Sequence, residues 1–143
     1  MSEENVELFY AWNKAFNRRD LDALLALADP DIELLSRIAE VEGGGPYRGH
    51  DGVRSWWESL FSISPDYSAE LEEVRDLGKV TLARVHNRGH GSGSDAPMGE
   101  TSWDVIEWRH KKAIWWGIYR SEDEALDHRC WAATSARCHF VTT

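Results

Sequence analysis

The spacing of apolar residues changes once along this chain, from a helical period to a period of two. Apolar side chains recur at helical spacing over residues 3–18, with Phe9, Trp12 and Phe16 on one stripe. From residue 67 onward, apolar and polar side chains alternate instead. Amphipathic helices followed by alternating strands predict an α+β domain, with the helices packed on one face of the sheet.

Turn residues divide these two parts into three helices and five strands. The predicted helices cover residues 3–18, 21–28 and 51 or 52 to 61, and the predicted strands cover residues 32–38, 68–76, 80–88, 101–109 and 113–120. Asp20 is the expected N-cap of the second helix, which Asp29-Pro30 ends because a residue before proline avoids the helical region. Hairpin turns are expected at residues 78–79 and 110–112.

A single folded domain is expected over residues 1–126, followed by an irregular tail over residues 127–143. A chain of 143 residues suits one hydrophobic core. The tail lacks a clear apolar period and holds Cys130 and Cys138, whose spacing matches no zinc or redox motif. We therefore expect both cysteines to be reduced thiols.

The charge and the absence of a long apolar run argue against two classes of partner. The chain carries 25 acidic and 16 basic side chains, a formal net charge of −9, which would repel a nucleic-acid backbone. No apolar run approaches the roughly 18 residues of a membrane span. The chain opens with Ser2, Glu3 and Glu4, where a signal peptide carries basic residues. We expect a cytoplasmic protein with no nucleic-acid or membrane partner.

Five short strings carry a family resemblance that spans residues 5–126. They are AFNRRDLDAL at 15–24, PDIE at 30–33, YRGHDGV at 47–53, RGHGSG at 88–93 and EDEAL at 122–126. Their order and spacing resemble the SnoaL-like branch of the NTF2-like superfamily. The resemblance implies a cone-shaped α+β barrel, in which a curved mixed or antiparallel sheet wraps around N-terminal helices. It also implies a deep, largely apolar pocket and a homodimer formed through the outer sheet face.

The resemblance does not imply one activity. The superfamily includes ketosteroid isomerases, polyketide cyclases, dehydratases, epoxide hydrolases and non-catalytic binding modules. One hypothesis is therefore a pocket protein that acts on a small apolar or aromatic molecule, as a cofactor-free lyase, isomerase or hydrolase with an acid–base aspartate. The alternative is a non-catalytic binding module or a dimeric interaction domain, so whether the protein is an enzyme is left open.

When ketosteroid isomerase is aligned with this chain as the resemblance implies, the chain retains only one of the isomerase's three catalytic groups. Its oxyanion-hole tyrosine falls on Trp12, its general-base aspartate on Ser36 and its second oxyanion-hole aspartate on Asp104. Serine does not remove a proton from carbon at neutral pH without its own base, and an indole N–H only donates. Polyketide cyclases are expected to carry an acid–base aspartate near residues 118–121, where this chain has no carboxylate.

Asp104 is the candidate acid–base residue. Its neighbours along the predicted strand are apolar, and an apolar environment raises the pKa of a carboxyl group. The alternative is an ion pair with Arg84 or Arg120, which would lower that pKa instead. Tyr10 and Tyr119 are the other candidate catalytic residues, as hydrogen-bond donors to a ligand carbonyl.

The candidate ligand-binding residues combine the first-helix stripe with positions that the resemblance places around the pocket. They are Trp12, Phe16, Ser36, Trp56, Trp116, Ile118 and Arg120. With eight tryptophans in the chain, either a π-faced pocket suits a planar or polycyclic ligand, or the indoles simply fill the cone. No metal or cofactor is expected, since His86 and His90 lie on a strand and its following loop, where four residues do not bring two rings together.

Overall fold

The structure is a computed structural model that describes residues 2–36, 46–89 and 100–133. The elements within these ranges, in chain order, are α1 (Ser2–Asn17), α2 (Leu21–Ala26), β1 (Ala28–Leu35), β2 (Tyr47–Arg48), α3 (Gly49–Ile63), β3 (Ser68–Asp76), β4 (Val80–Arg88), β5 (Glu100–Arg109), β6 (Lys112–Tyr119) and α4 (Glu122–Ala133). The strands form one mixed sheet in the order β2-β1-β6-β5-β4-β3. The predicted α+β class is confirmed.

The sheet is antiparallel except at one pair of strands. Strands β3, β4, β5 and β6 form an antiparallel meander, and β1 pairs in parallel with β6. This parallel pairing places the first strand beside the last one. Helix α1 packs mainly on the edge strand β3, and helix α3 packs on β1. Register shifts in β3 and at the end of β5 interrupt the ladders, and such irregularities bend strands.

Period-two alternation gives the sheet two apolar faces, each covered by helices. On β5, Ile106 and Trp108 belong to the cluster that packs against α1 and α3, which we call the inner face. Val105, which directly precedes Ile106 along the strand, belongs to a second cluster that includes Tyr119 and Ala125 of α4, which we call the outer face. Side chains of even-numbered residues from 102 to 106 therefore point toward α1 and α3.

Strand β1 starts earlier than predicted and contains the proline that was expected to end the preceding helix. Helix α2 ends at Ala26, and the strand begins at Ala28, with Pro30 inside it. The pairing with β6 shifts register between Ala28 and Glu33, so the missing N–H of Pro30 falls where the ladder is already interrupted. The capping prediction is confirmed, because the side chain of Asp20 accepts a 3.1 Å hydrogen bond from the backbone N–H of Ala23.

The turn between β5 and β6 is built from two residues that are not glycine. His110 and Lys111 have φ values of 52° and 65°, so both occupy the left-handed region that a tight two-residue hairpin requires. Lys112, which the sequence placed in the turn, is the first residue of β6. The short strand β2 was not predicted, since two residues carry no readable period.

The segment predicted to be irregular from residue 127 begins inside helix α4. This helix is capped by Ser121, whose hydroxyl oxygen accepts a 3.2 Å hydrogen bond from the backbone N–H of Glu124. Three carboxylates in its first turn complement the helix dipole, and Ala125 anchors it in the outer-face cluster. Residues 134–143 lie outside the described part of the chain.

Candidate functional site

Asp104 lies in β5 and points to the inner face of the sheet. Its strand neighbours are Ala83 of β4 and Ile118 of β6, which carry no charge. The side chain is buried, with 9% of the residue exposed. Arg84 lies on the opposite face, where it pairs with Glu72 at 3.3 Å. Asp104 forms no ion pair with any residue that the structure describes.

Burial brings the pKa of the Asp104 carboxyl group close to neutral pH. Desolvation raises the pKa of its carboxyl group from 3.8 to about 7, because an ionised carboxylate loses hydration inside the protein. Two smaller effects lower the pKa: a hydrogen bond from Ser102 and the proximity of the Trp116 indole. The Trp116 N–H lies near the carboxyl group but forms no aligned hydrogen bond among the described residues.

A chain of hydrogen bonds connects Asp104 to a partly buried tyrosine. The hydroxyl of Ser102 donates to Oδ1 of Asp104 at 2.9 Å. Nδ2 of Asn87 donates to the Ser102 oxygen at 2.9 Å, and the hydroxyl of Tyr67 donates to Oδ1 of Asn87 at 2.6 Å. None of these three residues was among the candidates predicted from sequence, although Asn87 and Ser102 are polar residues on the inward parity of two apolar strands.

Tryptophan side chains pack against one another on the inner face. The ring of Trp116 makes edge-to-face contacts with Trp12 and Trp56, at centroid distances of 5.0 and 4.8 Å. Trp12 also contacts Trp108 at 6.1 Å. All four residues are at most 4% exposed. Of the two alternatives drawn from sequence, the packing favours indoles that fill much of this space.

Three buried polar atoms on this face have no hydrogen-bond partner among the described residues. They are Nε1 of Trp12, Nε1 of Trp116 and Oγ of Ser36. Ser36 directly follows Leu35, which pairs with Gly117 of β6, so it lies at the same end of the inner face as Ile118. An unpaired buried donor costs about 1–3 kcal/mol, which marks these positions as places where a bound oxygen atom would be stabilised.

The other candidate residues are spread over several parts of the fold. Tyr119 packs in the outer-face cluster, and Arg120 is exposed beyond the end of β6. Phe16 is buried one turn further along α1 than Trp12, and its ring contacts Trp56, Trp57, Phe61 and Tyr67. Tyr10 is 51% exposed and lines a surface groove of about 420 Å³ between α1 and β3, together with Asn13, Asn17, Ser68, Ala69, Glu70, Leu71 and Arg88.

The described residues offer no metal site and no membrane span. No group of three histidine, cysteine, aspartate or glutamate side chains in residues 2–36, 46–89 and 100–133 could hold a metal ion. His90, weighed as a metal ligand with His86, lies outside these ranges. None of the helices in the described part of the chain is long and apolar enough to cross a membrane.

The helix-covered mixed sheet, with the buried Asp104 carboxyl group on its inner face, is the architecture of an NTF2-like protein. The sequence profile described as the SnoaL-like domain matches residues 6–116, which is more than half of the chain. The chain therefore belongs to the SnoaL-like family. A search of curated protein sequences finds no match.

Solved structures of similar fold include a protein of unknown function and a protein co-crystallised with a small molecule. An NTF2-like protein of unknown function from Burkholderia pseudomallei superposes with a TM-score of 0.74 at 19% identity, over 86% of this chain and 95% of that one. TerC, co-crystallised with polyporic acid, gives 0.72 at 17% identity, over 87% and 96%. IdmH, a proposed polyketide cyclase from Streptomyces antibioticus, gives 0.69 at 21% identity, over 79% and 88%. At these identities the likeness establishes the fold alone.

Proposed function

We propose that Asp104 is the acid–base group of a site for a small aromatic molecule, which the protein transforms without a cofactor as an isomerase, cyclase, dehydratase or hydrolase. The observation that carries this proposal is a buried carboxyl group with a pKa of about 7 and no ion-pair partner in the described structure. A core with a purely structural role does not require a buried carboxyl group without an ion-pair partner. Carboxyl groups with strongly shifted pKa values are concentrated at functional sites.

A carboxyl group with a pKa near neutral pH can both donate and accept a proton. Near neutral pH it is present as acid and as base, so it can donate a proton to a ligand oxygen and accept one from carbon or water. The indole N–H groups of Trp12 and Trp116, which lack partners among the described residues, would donate to the same oxygen. Ser36 supplies no second base, so we expect a reaction that needs one acid–base group.

The aromatic packing determines how a ligand reaches Asp104. Trp116 contacts both Trp12 and Trp56, and its indole lies near the Asp104 carboxyl group. A planar ligand that reaches Asp104 therefore replaces part of an indole–indole contact with an indole–ligand contact of similar geometry. This requirement favours flat, oxygen-bearing aromatic molecules over flexible aliphatic ones.

Tryptophan fluorescence tests this binding proposal. We expect polyporic acid, the ligand of the structurally similar TerC, or smaller hydroxyquinones to quench the emission saturably at micromolar concentration. Trp56→Phe should weaken the affinity by about tenfold, since one ring contact contributes up to about 1.4 kcal/mol. Trp103→Phe, on the outer face, is the matched control and should bind as the wild type does. Equal affinities in the two variants, or no saturable quenching, would contradict the proposal.

A non-catalytic binding module remains the second candidate, because Ser36 occupies the position where the related isomerase carries its base. Turnover separates the two functions once a ligand is known. In an enzyme, Asp104→Asn keeps the affinity within a few-fold and removes turnover, since asparagine neither accepts nor releases a proton at neutral pH. A binding module converts no ligand even with Asp104 present.

The homodimer and the cytoplasmic location remain predictions. Helix α4 packs on the outer face of the sheet, where Ala125 joins a cluster with Val105 and Tyr119. The expected dimer would therefore need an interface outside the area that α4 covers.

A further inference from the structure

We propose that Tyr67, Asn87 and Ser102 form a positioning chain that directs the Ser102 hydroxyl onto the Asp104 carboxylate. This inference rests on the proposed function, because it concerns the acid–base group named there. It adds three residues that neither the sequence pattern nor the aligned isomerase positions identify. All three act through Asp104 and are positioning residues.

The orientation of the Asn87 side chain is fixed by what faces each end of its amide. Nδ2 donates to the backbone carbonyl of Glu100 at 3.2 Å as well as to Ser102. A carbonyl oxygen only accepts, so the group that faces it must be the NH₂ group. Oδ1 then faces Tyr67, whose hydroxyl donates to it at 2.6 Å. Asn87 is 6% exposed, so water does not compete freely for these bonds.

The orientation of Asn87 determines where the single proton of the Ser102 hydroxyl points. A serine hydroxyl donates once and accepts twice. Because its oxygen accepts from Nδ2 of Asn87, its proton is free for the Asp104 carboxylate 2.9 Å away. Every donor in the chain thus points toward Asp104. Such an arrangement stabilises the ionised carboxylate and offsets part of the desolvation caused by burial.

Few charged or titratable groups among the described residues influence the pKa of Asp104. Its strand neighbours Ala83 and Ile118 are uncharged. The titratable groups that interact with its charge are Tyr67, from the segment before β3, and Tyr119 of β6; burial and the Asp104 charge raise the pKa of both phenols. Both phenols are neutral near pH 7, so the hydrogen bond from Ser102 and the nearby Trp116 indole are the influences that lower the pKa of Asp104.

The test is the titration of Asp104 in the ligand-free protein, followed through the carboxyl carbon resonance in aspartate-labelled samples and assigned by its loss in Asp104→Asn. We expect the pKa of Asp104 to rise by about one unit in Ser102→Ala, which removes the charge-assisted bond. Asn87→Leu, of nearly the same size, should raise it by about half a unit. Ser102→Thr retains the hydroxyl and should restore the wild-type value.

Thr81→Val is the matched control. It removes another buried hydroxyl, which accepts a 2.9 Å hydrogen bond from Trp108 in the same sheet and makes no bond to Asp104. The control should leave the Asp104 titration unchanged. If Asn87→Leu does not fold, Tyr67→Phe deletes the far end of the chain and should raise the pKa in the same direction.

The outcomes separate this inference from the proposed function. A wild-type titration near pH 7 that neither Ser102→Ala nor the Asn87 or Tyr67 variant shifts would overturn the positioning chain alone. An effect of Thr81→Val equal to that of Ser102→Ala would also overturn it, because the shift would then reflect a general loss of packing. A wild-type titration near pH 4 would overturn the proposed function as well.

Discussion

Asp104→Asn is expected to become progressively more stable than the wild type as the pH rises, by about 3 kcal/mol between pH 5 and pH 8. The reason is the raised pKa of Asp104, about 7 in the folded protein against an ordinary value of 3.8. Below pH 4 the carboxyl group is neutral in both the folded and the unfolded chain. Between pH 4 and pH 7 the unfolded chain ionises while the folded protein holds its proton, so unfolding releases a proton.

The sign follows from this difference in bound protons. Wild-type stability falls by about 1.4 kcal/mol for each pH unit above the unfolded pKa and becomes constant above the folded pKa. Asparagine does not titrate, so the difference between the two proteins isolates Asp104. Urea unfolding at pH 5, 6, 7 and 8 measures it. Thr81→Val, which changes no titratable group, is the control. A difference between wild type and Asp104→Asn that is the same at all four pH values would contradict the raised pKa.

Trp116→Ala is expected to reduce the free energy of unfolding by about 3–5 kcal/mol. The residue is 4% exposed, and its indole makes two edge-to-face contacts, with Trp12 and Trp56. Alanine removes both contacts and leaves a cavity that strands β1 and β6 cannot close, because their ladder fixes the spacing of the backbones. Circular dichroism during urea unfolding measures the loss.

Trp103→Ala provides the comparison for this result. Trp103 is only partly buried and packs on the outer face, so its removal should reduce stability by about 1–2 kcal/mol. If Trp116→Ala reduced stability by no more than this, the indole would be the wall of an open cavity. That result would contradict the close packing of indoles on the inner face.

The strands of the meander are the part of the fold that the sequence determines most directly. Strands β3 and β4 have the predicted limits, 68–76 and 80–88, because the glycine turn between them marks the end of one strand and the start of the next. Strand β1 was misplaced at its start because Pro30 was taken as a break between elements. A register shift lets the strand pass through it, and that shift depends on the partner strand rather than on local sequence.

The residues of the candidate site also differ in how far the sequence predicts them. Asp104 could be chosen from one strand and one aligned family, since parity and apolar neighbours are local properties. The bonds from Tyr67 through Asn87 to Ser102 join three segments of the chain, and no local period predicts which residues the sheet register places together. Tyr119 was chosen as a hydrogen-bond donor to a ligand; its side chain packs in the outer-face cluster with Val105 and Ala125, and its role stays a prediction.

The most direct test of the account follows the Asp104 carboxyl carbon resonance while a quenching aromatic ligand is added to the wild-type protein. If the ligand binds beside Asp104, the resonance should shift saturably, with the same dissociation constant as the fluorescence quenching. A saturable quench that leaves this resonance unmoved would place the ligand elsewhere, such as the groove between α1 and β3, and would contradict the assignment of Asp104 to the site.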